Sequence, residues 1–198
     1  MIKSILLVGV GGQGTILASK LLTTGLMKAG YDVKMSEIHG MSQRGGSVSS
    51  QVRYGDDVYS PVIELGGADI LVSFEKMETL RWLKYLKPDG KIIYNDYKIY
   101  PIPVLSGNLE YKEKEIDKEL KNLGAIKLNV LDIAESIGNI KTMNIILLGS
   151  LIKVMNLDKI NWNEIITENI KETFIDVNIQ ALKEGISLVS NQGDNYEL

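Results

Sequence analysis

Residues 4–14, SILLVGVGGQG, decide the fold. Ser4–Val8 is a continuous apolar run that ends at a glycine, which is typical of a parallel strand buried on both faces. The next six residues, 9–14, match the pattern G-x-G-x-x-G. Apolar residues then recur at helical spacing as far as Gly30, and Asp32–Ser36 is predicted to be a second strand. Residues 4–36 therefore predict a strand–glycine turn–helix–strand unit.

The same alternation continues along the chain. Apolar runs predict strands at Ala68–Ser73, Lys91–Tyr94 and Ala125–Asn129, and helical spacing predicts helices at Met77–Leu86 and Lys114–Asn122. The last third is predicted to be helical. We expect a single α/β domain over residues 1–190, Rossmann-like and three-layered, with a largely parallel sheet and a helical C-terminal third. Residues 191–198 are expected to be a flexible tail.

The region between the predicted strands Asp32–Ser36 and Ala68–Ser73 has a less regular pattern of apolar residues. Residues 36–46 contain few apolar side chains and predict a functional loop. Ser47–Tyr54 alternates apolar and polar residues, as expected of a half-exposed strand. A turn at residues 55–57 leads to a predicted short strand near Val58–Ile63, and residues 88–90 predict another turn. Asp96 and Tyr97 follow a strand and are interpreted as a turn.

Composition excludes several classes of protein. With 44% hydrophobic and 24% charged residues, the chain has the composition of an ordinary globular domain. Its net charge is −3 without a basic cluster, so nucleic acid is not an expected partner. The longest apolar run, Ile145–Ile152, is shorter than the roughly 20 residues that cross a bilayer. The first residues show no basic segment ahead of a cleavable apolar stretch, so export is not expected. We therefore expect a cytoplasmic protein without a membrane partner.

The chain has no cysteine and one histidine. It therefore cannot form a disulfide, present a thiol nucleophile or hold an iron–sulfur cluster through cysteine. A zinc site of the usual Cys/His kind is also excluded, and we expect no metal site. If the protein takes part in redox chemistry, the electron-carrying centre lies on another chain or is an organic cofactor.

The glycine turn is the first candidate site. Glycines allow a tight turn and a close approach of backbone to phosphate, and the following helix supplies N–H groups and a positive dipole end. The candidate ligand-binding residues are Gly9, Gly11, Gly12, Gln13 and Gly14. The alternative is that the glycines serve only the packing of strand and helix. Glu37 is the nearest acidic residue to the position that contacts ribose in dinucleotide folds, but it equally fits a loop carboxylate.

The second candidate site is the stretch SEIHGMSQRGGS, residues 36–47. It holds the only histidine, His39, together with Ser42, Gln43 and Arg44. An arginine can present a planar fork to a carboxylate or a phosphate. Taken singly, His39 and Arg44 are more often structural residues, yet the density of polar groups favours a functional loop. Ser42 has no base nearby in sequence except His39, so a hydrolase triad is a weak interpretation.

Together, the motifs at residues 9–14 and 36–47 resemble the gamma domains of 2-oxoacid:ferredoxin oxidoreductases. The form EIHGMSQRGG is most similar to the beta subunits of indolepyruvate ferredoxin oxidoreductases. The resemblance covers about residues 3–188 and has no departure inside either motif. The pair of motifs is far more specific than the glycine turn alone.

This resemblance implies a subunit of an enzyme of amino-acid catabolism. The enzyme would oxidatively decarboxylate arylpyruvates, chiefly indolepyruvate, to the acyl-CoA and CO₂ while reducing ferredoxin. A larger alpha subunit would carry thiamine diphosphate, magnesium and the iron–sulfur clusters. The present chain has no cysteine for a cluster and no Gly-Asp-Gly motif followed by paired asparagines for thiamine diphosphate. We therefore expect a hetero-oligomer in which this chain alone binds no cofactor and is inactive.

The resemblance also implies a role for the whole domain, and on that basis we assign roles to the candidate residues. The domain would pack against the thiamine-bearing domains and help to hold CoA, with the glycine turn and Arg44 contacting phosphate. Glu37, His39, Ser42 and Gln43 would orient the loop or the substrate, and no residue is expected to act as the catalytic acid or base. Two alternatives remain. The chain could be a self-sufficient nucleotide-dependent Rossmann oxidoreductase, or a non-catalytic interaction subunit.

Overall fold

The computed structural model describes residues 1–39 and 45–190. In this part of the chain, a six-stranded sheet has the order β2-β3-β1-β4-β5-β6. Each parallel pair joins strands that are connected through helices, as a crossover requires. The strands are β1 (Lys3–Val10), β2 (Asp32–His39), β3 (Ser47–Gly55), β4 (Ala68–Ser73), β5 (Leu86–Asn95) and β6 (Ile126–Leu128).

Only β3 runs against the other strands of the described sheet, because it pairs antiparallel with both β1 and β2. Strand β1 pairs parallel with β4, with Ile5 opposite Ile70, and β5 and β6 continue the parallel order. The predicted α/β class with a largely parallel sheet is confirmed. Strand β2 lies at one edge of the described sheet, and β3 separates it from β1.

Helices cover both faces of the sheet. They are α1 (Thr15–Lys28), α2 (Lys76–Trp82), α3 (Ile102–Leu105), α4 (Glu113–Asn122), α5 (Val130–Ile137), α6 (Met143–Val154), α7 (Trp162–Asn169) and α8 (Ile175–Ser190). Alternate β1 residues enter different cores, as the two-residue period of a strand requires: Ile5 packs with α1 and the C-terminal helices, and Leu6 with residues on the other face. None of the described helices is long and apolar enough to cross a membrane.

Three local predictions were wrong. Strand β2 extends to His39, so the predicted loop begins later than residue 36. Strand β3 is mostly buried and not half-exposed, because it lies inside the sheet between β1 and β2. Val58–Ile63 forms no strand: the backbone N–H of Ile63 donates to Oε1 of Gln51 at 2.6 Å, and its side chain packs on the sheet face.

The connection from α2 to β5 also differs from its prediction. Helix α2 ends at Trp82, followed by a single 3₁₀ turn over Leu83–Tyr85, and β5 begins at Leu86. The predicted turn at residues 88–90 lies inside β5. Glycine and proline there coincide with an irregular register between β4 and β5, where Ala68 lies opposite Leu86. The irregularity explains why turn-forming residues are tolerated in this strand.

Candidate functional site

The glycine turn links the carboxyl end of β1 to the start of α1. Gly12 has φ +106° and Gly14 has φ +80°, conformations in which an L side chain is strained. Gly14 is the N-cap of α1 and therefore offers no side-chain cap to the helix, and the first turn contains no acidic residue. The N-cap residue therefore makes no side-chain hydrogen bond to the first N–H groups of α1, which suits an anionic ligand.

Gln13 holds this turn to the neighbouring strand. Its Oε1 accepts a hydrogen bond from the backbone N–H of Val10 at 2.7 Å, and its Nε2 donates to the carbonyl of Phe74 at 2.9 Å. A methyl group at Gly9 would lie 2.8 Å from Oε1 of Gln13 and 2.9 Å from Cβ of Phe74. Gly9 is therefore required by packing, and the amide of Gln13 is engaged inside the chain.

The two motifs that the sequence singled out meet at Gly11. Its backbone N–H donates to the carbonyl of Gly46 at 2.9 Å, and its own carbonyl accepts from the N–H of Gly45 at 3.3 Å. The end of the second motif is thus hydrogen-bonded to the middle of the first. The predicted residues Ser42, Gln43 and Arg44 lie outside the described residues, directly before this contact.

Gly12 is the open position of the turn. It is exposed, and a methyl group added to it would meet no atom of the described residues within 4 Å. Gly9 and Gly14, by contrast, would both clash with the chain itself. The space in front of Gly12 can therefore accept a ligand, beside the positive end of the α1 dipole. These features fit a phosphate group.

Asn144, near the start of α6, is a contact that sequence reasoning missed. Its Nδ2 donates to the carbonyl of Gly14 at 3.2 Å, and a methyl group at Gly14 would lie 2.6 Å from the same nitrogen. Asn144 is 4% exposed. The contact joins residues 130 positions apart, so no local pattern could have indicated it.

A cleft of about 440 Å³ adjoins the turn at Val10 and is lined by two buried acidic side chains, Glu75 and Glu78. Glu78 accepts hydrogen bonds from Ser47 and from Nε1 of Trp82, and pairs with Arg81 at 2.9 Å. Burial raises the pKa of Glu75, against the lowering effect of hydrogen bonds from backbone N–H groups. The two acidic side chains disfavour the binding of a phosphate in this cleft.

The predicted residues on β2 lie apart from the turn. Glu37 accepts a hydrogen bond from the hydroxyl of Ser19 on α1, at 3.3 Å. Because β3 lies between β2 and β1, Glu37 is two strand spacings from β1, roughly 9–10 Å in the sheet. This is not the neighbouring-strand position that contacts ribose in a dinucleotide fold. His39 ends β2, and only its backbone is described.

Asp96 belongs to a structural ion network. It pairs with Lys76, which is 1% exposed, and with Lys127 at 2.6 Å, while Lys76 also pairs with Asp117 at 2.8 Å. Burial alone would raise the pKa of Asp96, but hydrogen bonds from Lys127 and Lys76 outweigh it and lower the pKa. The network joins the ends of β5 and β6 to α2 and α4. In the described residues, no group of three or more His, Cys, Asp or Glu could hold a metal ion.

Comparison with known sequences gives a consistent result. The family model described as "Pyruvate ferredoxin/flavodoxin oxidoreductase" matches residues 4–188. The chain is 38% identical over 189 residues to the indolepyruvate oxidoreductase subunit IorB of Pyrococcus horikoshii, covering 92% of this chain and 94% of the relative. It is 39% identical over 187 residues to IorB of Archaeoglobus fulgidus, covering 92% of each.

Solved structures support the fold. The gamma subunit of a keto/oxoacid ferredoxin oxidoreductase from Geobacter sulfurreducens superposes with a TM-score of 0.70 at 20% identity, covering 96% of this chain and 99% of that one. The 2-oxoglutarate:ferredoxin oxidoreductase from Magnetococcus marinus superposes with a TM-score of 0.73 at 18% identity. It covers 100% of this chain, which corresponds to 33% of the longer Magnetococcus chain.

Proposed function

The chain belongs to the pyruvate ferredoxin/flavodoxin oxidoreductase family, with the IorB subunits among its relatives, and from this premise we propose that it is the small subunit of a cytoplasmic indolepyruvate:ferredoxin oxidoreductase. The complex would convert an arylpyruvate and CoA to the aryl-acetyl-CoA and CO₂, and pass two electrons to ferredoxin. A larger alpha subunit would contribute thiamine diphosphate with magnesium for the decarboxylation, and iron–sulfur clusters for electron transfer.

The observation that carries the role of this chain is the open space at Gly12 in front of the uncapped start of α1. We propose that a phosphate of CoA binds there. The N–H groups of the first turn of α1 would donate to its oxygens, and Gln13 would keep the turn in shape through its bonds to Val10 and Phe74. Arg44, one residue before the contact with Gly11, would add a cation.

The remaining predicted residues keep a supporting role in this proposal. His39, Ser42 and Gln43 would orient the second motif or the substrate. Glu37 would stabilise the position of β2 against α1 through its contact with Ser19. None of them is proposed as the catalytic acid or base, because the reaction chemistry belongs to the thiamine cofactor.

One alternative has a specific observation in its favour. The backbone of Gly11 and the side chain of Gln13 are engaged inside the chain, which is what a purely structural turn in an interaction subunit would show. The self-sufficient nucleotide-dependent oxidoreductase is disfavoured, since β3 separates Glu37 from β1. Tight binding of NAD or NADP by the isolated chain, measured by calorimetry, would reinstate it.

The test is reconstitution. The chain is co-expressed with the large subunit, and ferredoxin reduction is followed with indolepyruvate and CoA. We expect CoA-dependent activity from the complex and none from this chain alone, because it has no cysteine for a cluster. Robust ferredoxin reduction by the homogeneous small chain would overturn the subunit assignment. Activity of the complex on another 2-oxoacid but not on indolepyruvate would overturn the substrate alone.

A further inference from the structure

Asn144 contains a polar atom that the fold leaves without a partner. The side chain is 4% exposed, and its Nδ2 donates to the carbonyl of Gly14. Its Oδ1 is fully enclosed and has no hydrogen-bond partner among the described residues. A buried acceptor without a donor destabilises a protein and is uncommon in native structures. The presence of an amide at this position therefore needs an explanation.

The fold itself does not need the hydrogen bond that Asn144 makes. The carbonyl of Gly14 already accepts the N–H of Ala18 at 3.2 Å, which is the first hydrogen bond of α1. Asn144 adds a second donor to an oxygen that is already satisfied. An apolar side chain of similar size would remove the unpaired oxygen and leave the helix hydrogen bond in place. Stability alone would favour such a residue.

Asn144 adds a second restraint, beside the N–H of Ala18, on the orientation of one peptide group. The carbonyl of Gly14 and the N–H of Thr15 belong to the same planar unit, in which they point in opposite directions. Gly14 has a left-handed conformation, and a glycine can leave it for other backbone conformations more easily than a residue with a side chain could. A donor that fixes the Gly14 oxygen from one side therefore also fixes the direction of the Thr15 N–H, the first helical N–H of α1.

We propose that Asn144 is a positioning residue for the glycine turn. It fixes the Gly14–Thr15 peptide so that the start of α1 presents its N–H groups to a phosphate-bearing ligand in front of Gly12, and it does so although its own Oδ1 stays unpaired. This inference rests on the proposed function, because the ligand is the phosphate of CoA. It assigns to α6 a direct influence on the ligand site.

The test compares Asn144→Ala and Asn144→Leu in the reconstituted complex. We expect the KM for CoA to rise about 3- to 10-fold, equivalent to about 0.6–1.4 kcal/mol. We expect kcat at saturating CoA and the KM for the 2-oxoacid to stay unchanged. The Tm of the complex should be unchanged or higher for Asn144→Leu. A lower Tm with an unchanged KM for CoA would mean that Asn144 is merely structural and would overturn the proposal.

Asn178 supplies the matched control. It is 8% exposed and its Nδ2 donates to a backbone carbonyl, that of Phe174, at 2.7 Å. Asn178→Ala should leave the KM for CoA unchanged. Gly12→Ala distinguishes the proposed CoA site from the proposed role of Asn144. If Gly12→Ala raises the KM for CoA while the Asn144 variants do not, the role of Asn144 is refuted and the CoA site stands. If neither raises the KM, the CoA site fails and the role of Asn144 with it.

Discussion

Gly12→Ala tests whether the glycine turn contacts a ligand. The added methyl group meets no atom of the described residues within 4 Å, so an effect beyond backbone strain would come from something outside those residues, and the site proposed above makes this a ligand. The strain itself is considerable, because Gly12 has φ +106°. A non-glycine residue at positive φ costs about 1–2 kcal/mol. For a domain of this size we expect the Tm to fall by roughly 2–8 °C.

Gly30→Ala is the control for this strain. Gly30 has φ +90°, and a methyl group there also meets no described atom within 4 Å. It follows the opposite end of α1, roughly 20 Å from the turn at the rise of an α-helix. The two variants should therefore lose similar stability in thermal unfolding, so that a difference between their KM values for CoA cannot be attributed to backbone strain.

The KM for CoA of the two variants shows whether Gly12 contacts a ligand. In the reconstituted complex, Gly12→Ala should displace phosphate from the backbone N–H groups, and loss of a charge-assisted hydrogen bond costs about 1.5–3 kcal/mol. The KM for CoA should rise roughly 10- to 150-fold for Gly12→Ala, and stay at the wild-type value for Gly30→Ala. Equal KM values for CoA in both variants would refute ligand contact at Gly12. Loss of subunit assembly in Gly12→Ala alone would show that the turn contacts the partner instead.

Three further variants test other parts of the molecule. Arg44→Ala should leave assembly intact and lower kcat/KM about 10- to 150-fold. Arg44→Lys should restore only part of the loss, since a point charge cannot reproduce the planar fork of arginine. If the Arg44→Ala complex forms poorly but has normal kinetics, Arg44 is an interface residue instead. Gly185→Ala should prevent stable folding, because its methyl group would lie 2.0 Å from the carbonyl oxygen of Ile146, and a cooperative wild-type-like melt would contradict this helix contact. The lowered pKa of Asp96 stabilises the fold above its unfolded pKa of about 3.9, and this contribution should disappear as the pH falls through the lowered pKa. In Asp96→Asn, the midpoint of urea unfolding should therefore fall less steeply as the pH is lowered than it does in the wild type. The same steepness in both proteins would exclude Asp96 as a source of this pH dependence.

The sequence by itself determined the features that depend on neighbours along the chain. The apolar run before Gly9 indicated β1, and helical spacing after Gly14 indicated α1, because strand and helix periods are local properties of side-chain direction. The glycine pattern and the polar stretch at residues 36–47 were also visible, and their combination indicated the family that the comparisons confirm.

Only the tertiary structure decided which residues meet across the fold. The insertion of β3 between β2 and β1 separates Glu37 from the glycine turn, and the hydrogen bonds of Gly11 join the two motifs. The Asn144 contact with Gly14 and the acidic lining of the adjoining cleft, which includes Glu78, also depend on long-range packing. Strand order and helix packing arise from burial of apolar faces that many arrangements of the same local elements could satisfy. A periodic pattern therefore identifies each element, but not the element that will lie against it.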